Sequence, residues 1–327
     1  MKALKYSDIC LIPNYSEVHS RIDCDTSVDF CGRKFRLPIV PANMKSVIDI
    51  KLSKWMSDND YFYIMHRFGI DNFEFIRKAN EEKWKTISIS VGIKMNDKLL
   101  ITKIADQENS HWGKLRLDFI TVDIAHGHCE RMKTMLKLIK NKLPNTKIIA
   151  GNVATPTAVR DLANWGADIV KVGIGQGSPC TTKDKTGFTM PMFTCTKLCS
   201  NVVLENGEVV PIIADGGIKC NGDIAKALVA GATMTMAGGI FASCSDSPAA
   251  VISIGGINHK AYFGSASAEN KGHNNNIEGK LNKVANNGML YKQKLSEITQ
   301  DLQSSISYAG GIDLTCLTPN EVQYYQS

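Results

Sequence analysis

Eight short apolar runs recur along the chain, with helical stretches between them. They are residues 37–44 (LPIVPANM), 61–68 (YFYIMHRF), 86–92 (TISISVG), 118–127 (DFITVDIAHG), 146–154 (TKIIAGNVA), 167–175 (ADIVKVGIG), 209–217 (VVPIIADGG) and 232–239 (ATMTMAGG). Most are nearly continuous rather than alternating, the pattern of strands buried on both faces of a parallel sheet. The stretches between them, such as 157–166 (TAVRDLANWG) and 222–231 (GDIAKALVAG), carry apolar residues at helical spacing and end in glycine, a common helix stop. Eight such units predict an α/β fold, a (β/α)8 TIM barrel, with a doubly wound sheet as the alternative. Leu295, Ile298, Leu302 and Ile306 recur at helical spacing and predict a further helix packed on the barrel, ending near Gly310.

A barrel places its chemistry at the C-terminal ends of its strands. The run ends carry Asn43, Ser46, His66, Arg67, Asp123, Asn152, Gly175, Asp215, Gly238 and Gly239. Two segments stand outside the repeat. Residues 176–208 are too long for a plain connection, and residues 264–290 are polar and rich in Asn and Gly. The composition of the second suits a disordered loop or a mobile lid equally. The chain is read as one barrel domain over 1–327, with a catalytic loop at about 176–208 and a flap at about 264–290.

Composition narrows the partners. With 327 residues, 43% apolar and 21% charged, the chain can bury a large core. The net charge of +6 suits anionic small molecules, and no long basic run argues for nucleic acid. No run of about 18 apolar residues predicts a membrane span, and the first residues are broken by charge and proline rather than forming a leader. Ten cysteines form no C-x-x-C pair and show no metal spacing, so zinc is not expected and a reducing, cytoplasmic compartment is.

Two loops carry candidate chemistry. Asp215 closes a strand, Gly216 and Gly217 let the backbone approach a ligand, and a helix begins near Gly222. With Gly238 and Gly239 after the last strand, this is the place where barrels bind phosphate, and Asp215 is set to meet a ribose hydroxyl. In KVGIGQGSPCTTKDKTG (171–187), Cys180 follows three spaced glycines, with Thr182 two residues on. The residues alone leave Cys180 open between a thiolate nucleophile and a small buried hydrophobe.

Taken together, VGIGQGSPCTT, ADGGIKCNGDIAKAL, FGSAS (263–267), IEGK (277–280) and QDLQSSISYAGG (300–311) resemble the IMP dehydrogenase/GMP reductase family, in particular its bacterial-type reductase branch. The resemblance runs from residue 6 to about residue 315. It implies a barrel enzyme, usually a homotetramer, that turns GMP into IMP and ammonia with NADPH through a cysteine thioimidate. Carried onto this chain, it makes Cys180 the nucleophile and Thr182 and Glu278 the proton-handling pair. Asp215, Gly216, Gly217, Gly238, Gly239, Phe263, Gly264, Ser265, Gly279 and Lys280 would meet the nucleotide. Ser20, Arg21, Arg67, Asp123, Ile124, Ala125, Ile174 and Gly175 would meet the cofactor, the first two across a subunit boundary. The carbonyls of Gly175, Gly177 and Cys180 would hold a monovalent cation, K+. Gln176 departs from the proline usual at its position. The alternative within the family, an IMP dehydrogenase lacking the regulatory module, needs an Arg–Tyr pair on the flap, and no arginine follows Arg160. A nucleotide sensor without activity and a phosphate-binding isomerase are the readings outside it.

Overall fold

The computed structural model describes residues 2–108, 115–264, 266, 267, 270, 275 and 277–326. The chain opens with β1 (Ile9–Leu11) and the hairpin β2 (Val28–Phe30) and β3 (Arg33–Phe35). β4 (Ile39–Pro41), β5 (Ser88–Val91), β6 (Phe119–Asp123), β7 (Lys147–Val153), β8 (Ile169–Val172), β9 (Ile212–Asp215) and β10 (Met234–Ala237) follow, each inside one of the predicted runs. They form one parallel sheet in the order β4-β10-β9-β8-β7-β6-β5.

The remaining run, 61–68, makes only an isolated parallel bridge, Met65 to Ile89. It stands in the gap between the sheet's two edges. Met65 and Ser88–Ser90 exchange backbone hydrogen bonds on one side, and the Arg36 N–H donates to the Asp60 carbonyl on the other. With it the sheet is a (β/α)8 barrel.

The inward-facing residues explain which end is free for chemistry. Phe30 and Phe35 of the hairpin meet Phe62 and Phe119, with ring centroids 5.0 to 6.4 Å apart. With Val40, Ile149, Ile169, Ile213 and Met234 they fill the N-terminal half of the lumen. Period-two alternation puts Asp123, Lys171, Asp215 and Gly238 on the same inward faces, one layer or more further up. The hairpin plug is apolar, so the polar layer is confined to the C-terminal mouth.

Helices cover the outside. They include α1 (Ile50–Asp58), α2 (Asn72–Glu81), α3 (Met95–Glu108), α4 (Glu130–Lys142) and α5 (Pro156–Asn164), then, after the short α6 (Thr182–Thr186) on the loop following β8, α7 (Met192–Cys199) and α8 (Gly222–Val229); the short α9 (Gly239–Ala242) follows β10 at the mouth. Side chains cap them where the sequence allows: Asp49 accepts from the Leu52 N–H, and Thr155, with Pro156 next to it, accepts from the Ala158 N–H. The long helix Tyr291–Tyr308 buries Leu295, Ile298, Leu302 and Ile306, as their spacing predicts, and packs on α8.

The region after the last barrel strand departs from expectation. Residues 251–285 carry a three-stranded antiparallel sheet of β11 (Val251–Ile254), β12 (Ile257–Phe263) and β13 (Leu281–Ala285). The polar alternation of β13 (Leu281, Asn282, Lys283, Val284, Ala285) reads as loop along the chain. Pairing with β12 makes it a strand.

Candidate active site

Cys180 lies on the loop after β8. Its Sγ–H donates to Thr182 Oγ1 at 3.2 Å, and Thr182 Oγ1 donates to Glu278 Oε2 at 2.6 Å. The three residues are brought together by backbone pairing. Cys180 bridges Gly279 in antiparallel fashion, the Thr181 N–H donates to the Glu278 carbonyl at 2.9 Å, and the Lys280 N–H donates to the Pro179 carbonyl at 2.8 Å. The Lys185 ammonium adds a bond to the Ile277 carbonyl. The flap strand therefore runs alongside the cysteine loop, and a carboxylate 98 positions away reaches the thiol through one hydroxyl.

Next to this trio is a cavity of about 300 Å³. Gly177 and Ser178 line one wall, Gly216, Gly217 and Lys219 a second, and Gly238, Gly239 and Tyr262 a third. Both glycine pairs named from the sequence thus face one space, and it opens beside Cys180. Gly238 is required there: a Cβ would come within 2.0 Å of the Tyr262 hydroxyl. Tyr262 is buried, and burial pushes its phenol well above the usual range. We expect Gly238→Ala to shift Tyr262 into the cavity, costing about 1–3 kcal/mol of stability by overpacking. Calorimetry should show a lower Tm together with weaker nucleotide binding; an unchanged Tm would mean that the ring yields freely.

The layer beneath the mouth is polar, with Lys171 buried and Asp123 and Asp215 partly so. Lys171 Nζ donates to Asp123 Oδ1 at 2.8 Å, to Asp215 Oδ2 at 2.7 Å, and to Asn152 Oδ1. Asn152 Nδ2 donates to Asp215 Oδ2 at 2.8 Å, and Asn43 Nδ2 to Asp123 Oδ2 at 3.0 Å. Burial alone would lower the Lys171 ammonium, but the two carboxylates outweigh it and hold it above the usual lysine range. Burial alone would raise Asp123, and the Lys171 charge instead keeps its carboxyl below the usual range. Gly151 leaves the room for this: a Cβ there would lie 2.6 Å from the Lys171 carbonyl oxygen.

Lys171 is the residue that reading along the chain missed. Its signal was present, as a lysine inside the otherwise apolar run DIVKVGI at an inward-facing position. His66, a run end, is a structural group: desolvation and then Lys45 push it down to about 4, and its Nδ1 accepts from the Phe68 N–H.

The remaining candidates divide. Arg67 donates to the Asp123 carbonyl at 3.4 Å, and its Nε is buried without a partner in the structure. Ile124 and Ala125 continue from Asp123 on the same rim. Gly175 sits under Thr189, whose hydroxyl donates to the Ile174 carbonyl and accepts from Gln176. The Gly177 carbonyl accepts from the Cys180 N–H. Phe263 meets Ser46, and Gly264 packs near Pro179. Ser265 lies outside the described residues. Ser20 and Arg21 are not brought to this rim. Arg21 rests on the C-terminal helix, bonded to Ser304 and Tyr308 and 5.0 Å above the Tyr308 ring.

Fold and site define an α/β barrel that joins a thiol, a hydroxyl–carboxylate relay and a glycine-lined cavity at one mouth. The model of the IMP dehydrogenase / GMP reductase domain matches residues 3–325, and the chain belongs to that family. It is 48% identical over 320 residues to the GMP reductase of Staphylococcus epidermidis strain RP62A, covering 97% of this chain and 94% of the relative. The GMP reductase of Staphylococcus aureus strain JH9 matches to the same extent. The family carries a nicotinamide cofactor. Among the described residues, no helix is long and apolar enough to cross a membrane, and no group of His, Cys, Asp and Glu side chains could hold a metal ion.

Proposed function

We propose that the chain reduces GMP to IMP and ammonia with NADPH, through a thioimidate on Cys180. The observation that carries this reading is the hydrogen-bonded line from Cys180 through Thr182 to Glu278. It accounts for every proton of the deamination. Glu278 draws the thiol proton through the Thr182 hydroxyl, and the sulfur adds to C2 of the base. The same proton returns along the line to the departing amine, which leaves as ammonia. The nucleotide gains a C–S bond and loses a C–N bond with no net proton change.

Gly216, Gly217, Gly238 and Gly239 line the cavity that would take the phosphate, and Asp215, directly before Gly216 in the chain, would take the ribose. Phe263 at the end of β12, with Gly264, Gly279 and Lys280 between β12 and β13, would border the base, and Ser265 is proposed with them.

A reduced nicotinamide, when bound, supplies the hydride that goes to C2 and frees the sulfur. The rim fits such a group: Arg67 offers a buried, unpartnered N–H beside Asp123, Ile124 and Ala125, and Ile174 and Gly175 face it from the next loop but one. The carbonyls of Gly175, Gly177 and Cys180 would hold K+, with the Gln176–Thr189 bond supporting the loop in place of proline. A dehydrogenase would have to activate water on the flap, and residues 264–290 contain neither arginine nor tyrosine. A homotetramer in the cytoplasm, acting on GMP and IMP and on neither nucleic acid nor membrane, completes the proposal.

Incubation with GMP and NADPH tests it directly, by loss of reduced-cofactor absorbance with equal release of ammonia. IMP oxidation to XMP without ammonia would favour the dehydrogenase. The subunit boundary has its own test. Arg21 is exposed where it rests on the C-terminal helix, away from the rim of its own barrel, a place where a cofactor held by a neighbour would meet it. Arg21→Ala should raise the KM for NADPH several-fold and leave that for GMP within about twofold. An equal change in both would count against a shared site.

A further inference from the structure

We propose that Lys171 is a positioning residue: its ammonium clamps Asp215 and Asp123 together across the barrel lumen and so sets the carboxylate that grips the nucleotide's ribose. The inference rests on the reading of Asp215 as the ribose ligand. Lys171 is 2% exposed and touches neither the cavity nor the thiol. Its three acceptors belong to three different strands, β6, β7 and β9, so one side chain ties the mouth of the barrel over nearly half its circumference.

Asp215 is the member nearest the cavity, since Gly216 and Gly217 follow it directly. One of its oxygens, Oδ2, accepts from both Lys171 and Asn152. That leaves Oδ1 for a ligand hydroxyl and fixes the plane in which it points. The charges facing this point are Asp123 on β6, Asp215 on β9, and Arg67, whose charge also acts on Asp123; Asn152 and Asn43 supply neutral donors. Without the ammonium, two carboxylates, each mostly removed from water, would face each other across the lumen. Asp215 would then turn away or take up a proton, and in either state it would grip a diol poorly.

The test is discrimination between GMP and 2′,3′-dideoxy-GMP in direct binding, with the folded state of each variant checked by its melting transition. The parent and Lys171→Met are compared, with Asp215→Asn as reference. We expect the parent to prefer GMP at least tenfold, and both variants to bring that ratio to within about threefold of one. Binding of the dideoxy nucleotide should stay within about threefold of the parent in Lys171→Met, because the phosphate cavity does not include Lys171.

A Lys171→Met protein that keeps the parent's preference, while Asp215→Asn loses it, overturns the clamp and leaves the ribose reading intact. A parent with no preference overturns the ribose reading, and the inference with it. If Lys171→Met does not fold, Lys171→Gln, which keeps a polar side chain without the charge between Asp123 and Asp215, takes its place. A full preference in that variant likewise overturns the clamp.

Discussion

Cys180→Ala should bind GMP within a few-fold of the parent and turn over none of it, with kcat lower by at least about 10⁴-fold, the scale on which removal of a nucleophile acts. The reason is spatial. The glycine pairs, Asp215 and Tyr262 lie on other strands and loops, so deleting one sulfur leaves their positions unchanged. Six of the other nine thiols are buried or held above the usual range by burial. Cys195, Cys199, Cys24 and Cys244 are buried. Cys195 is held far above the usual thiol range by a thiol–thiol hydrogen bond with the free Cys199 and then by burial, while burial pushes Cys31, Cys244 and Cys316 up to about 11. Turnover of the variant at the parent's rate would remove Cys180 from the chemistry. Binding is read by titration and turnover by cofactor absorbance, so a loss of fold is distinguishable from a loss of reaction.

The second large effect belongs to the relay. Glu278→Gln keeps the shape of the side chain but cannot take the thiol proton or return it to the amine. Ammonia release should slow by about 10²–10⁴-fold, the usual worth of a placed general acid–base. Oxidation of IMP by NADP+ in the reverse direction forms the thioimidate with no amine to protonate, so it needs the thiol proton taken but not returned, and that step should fall by less. Thr182→Val should act in the same direction. If hydroxyl and carboxylate work as one unit, the double variant should be little slower than the worse single one. A Glu278→Gln protein that releases ammonia at the parent's rate would rule the relay out. So would a double variant whose losses multiply.

The residues on which these predictions turn differ in how far the chain alone marked them, and the residues alone left the role of Cys180 open. Cys180 and Thr182 sit in a glycine-rich stretch directly after a predicted strand, and both stand on the loop after β8. The glycine pairs stand after the last two strands, and the barrel rule places them at one mouth. Glu278 was legible only through resemblance to the family, because a carboxylate in a polar stretch looks like a solvated one. The sheet formed by residues 251–285 was not legible. Its last strand lacks an apolar face and exists by pairing with β12.

The order of buried runs and glycine-ended helices by itself determined the barrel. A strand buried on both faces must be apolar throughout, and eight of these in alternation with helices close in few other ways. It also determined which residues stand at the strand ends, since those are set by where the runs stop. The tertiary structure alone decided which distant groups touch. It put Glu278 on the thiol's hydroxyl partner, although the flap pattern favours no particular neighbour. It turned Lys171 from one basic residue among 38 into the charge between two carboxylates. It also placed Arg21 against the C-terminal helix, away from Arg67 and Asp123. The physical reason is the same in all three. Local propensity and period report which face of an element is buried, whereas contacts between elements depend on the closure of the barrel, which no single window of the chain contains.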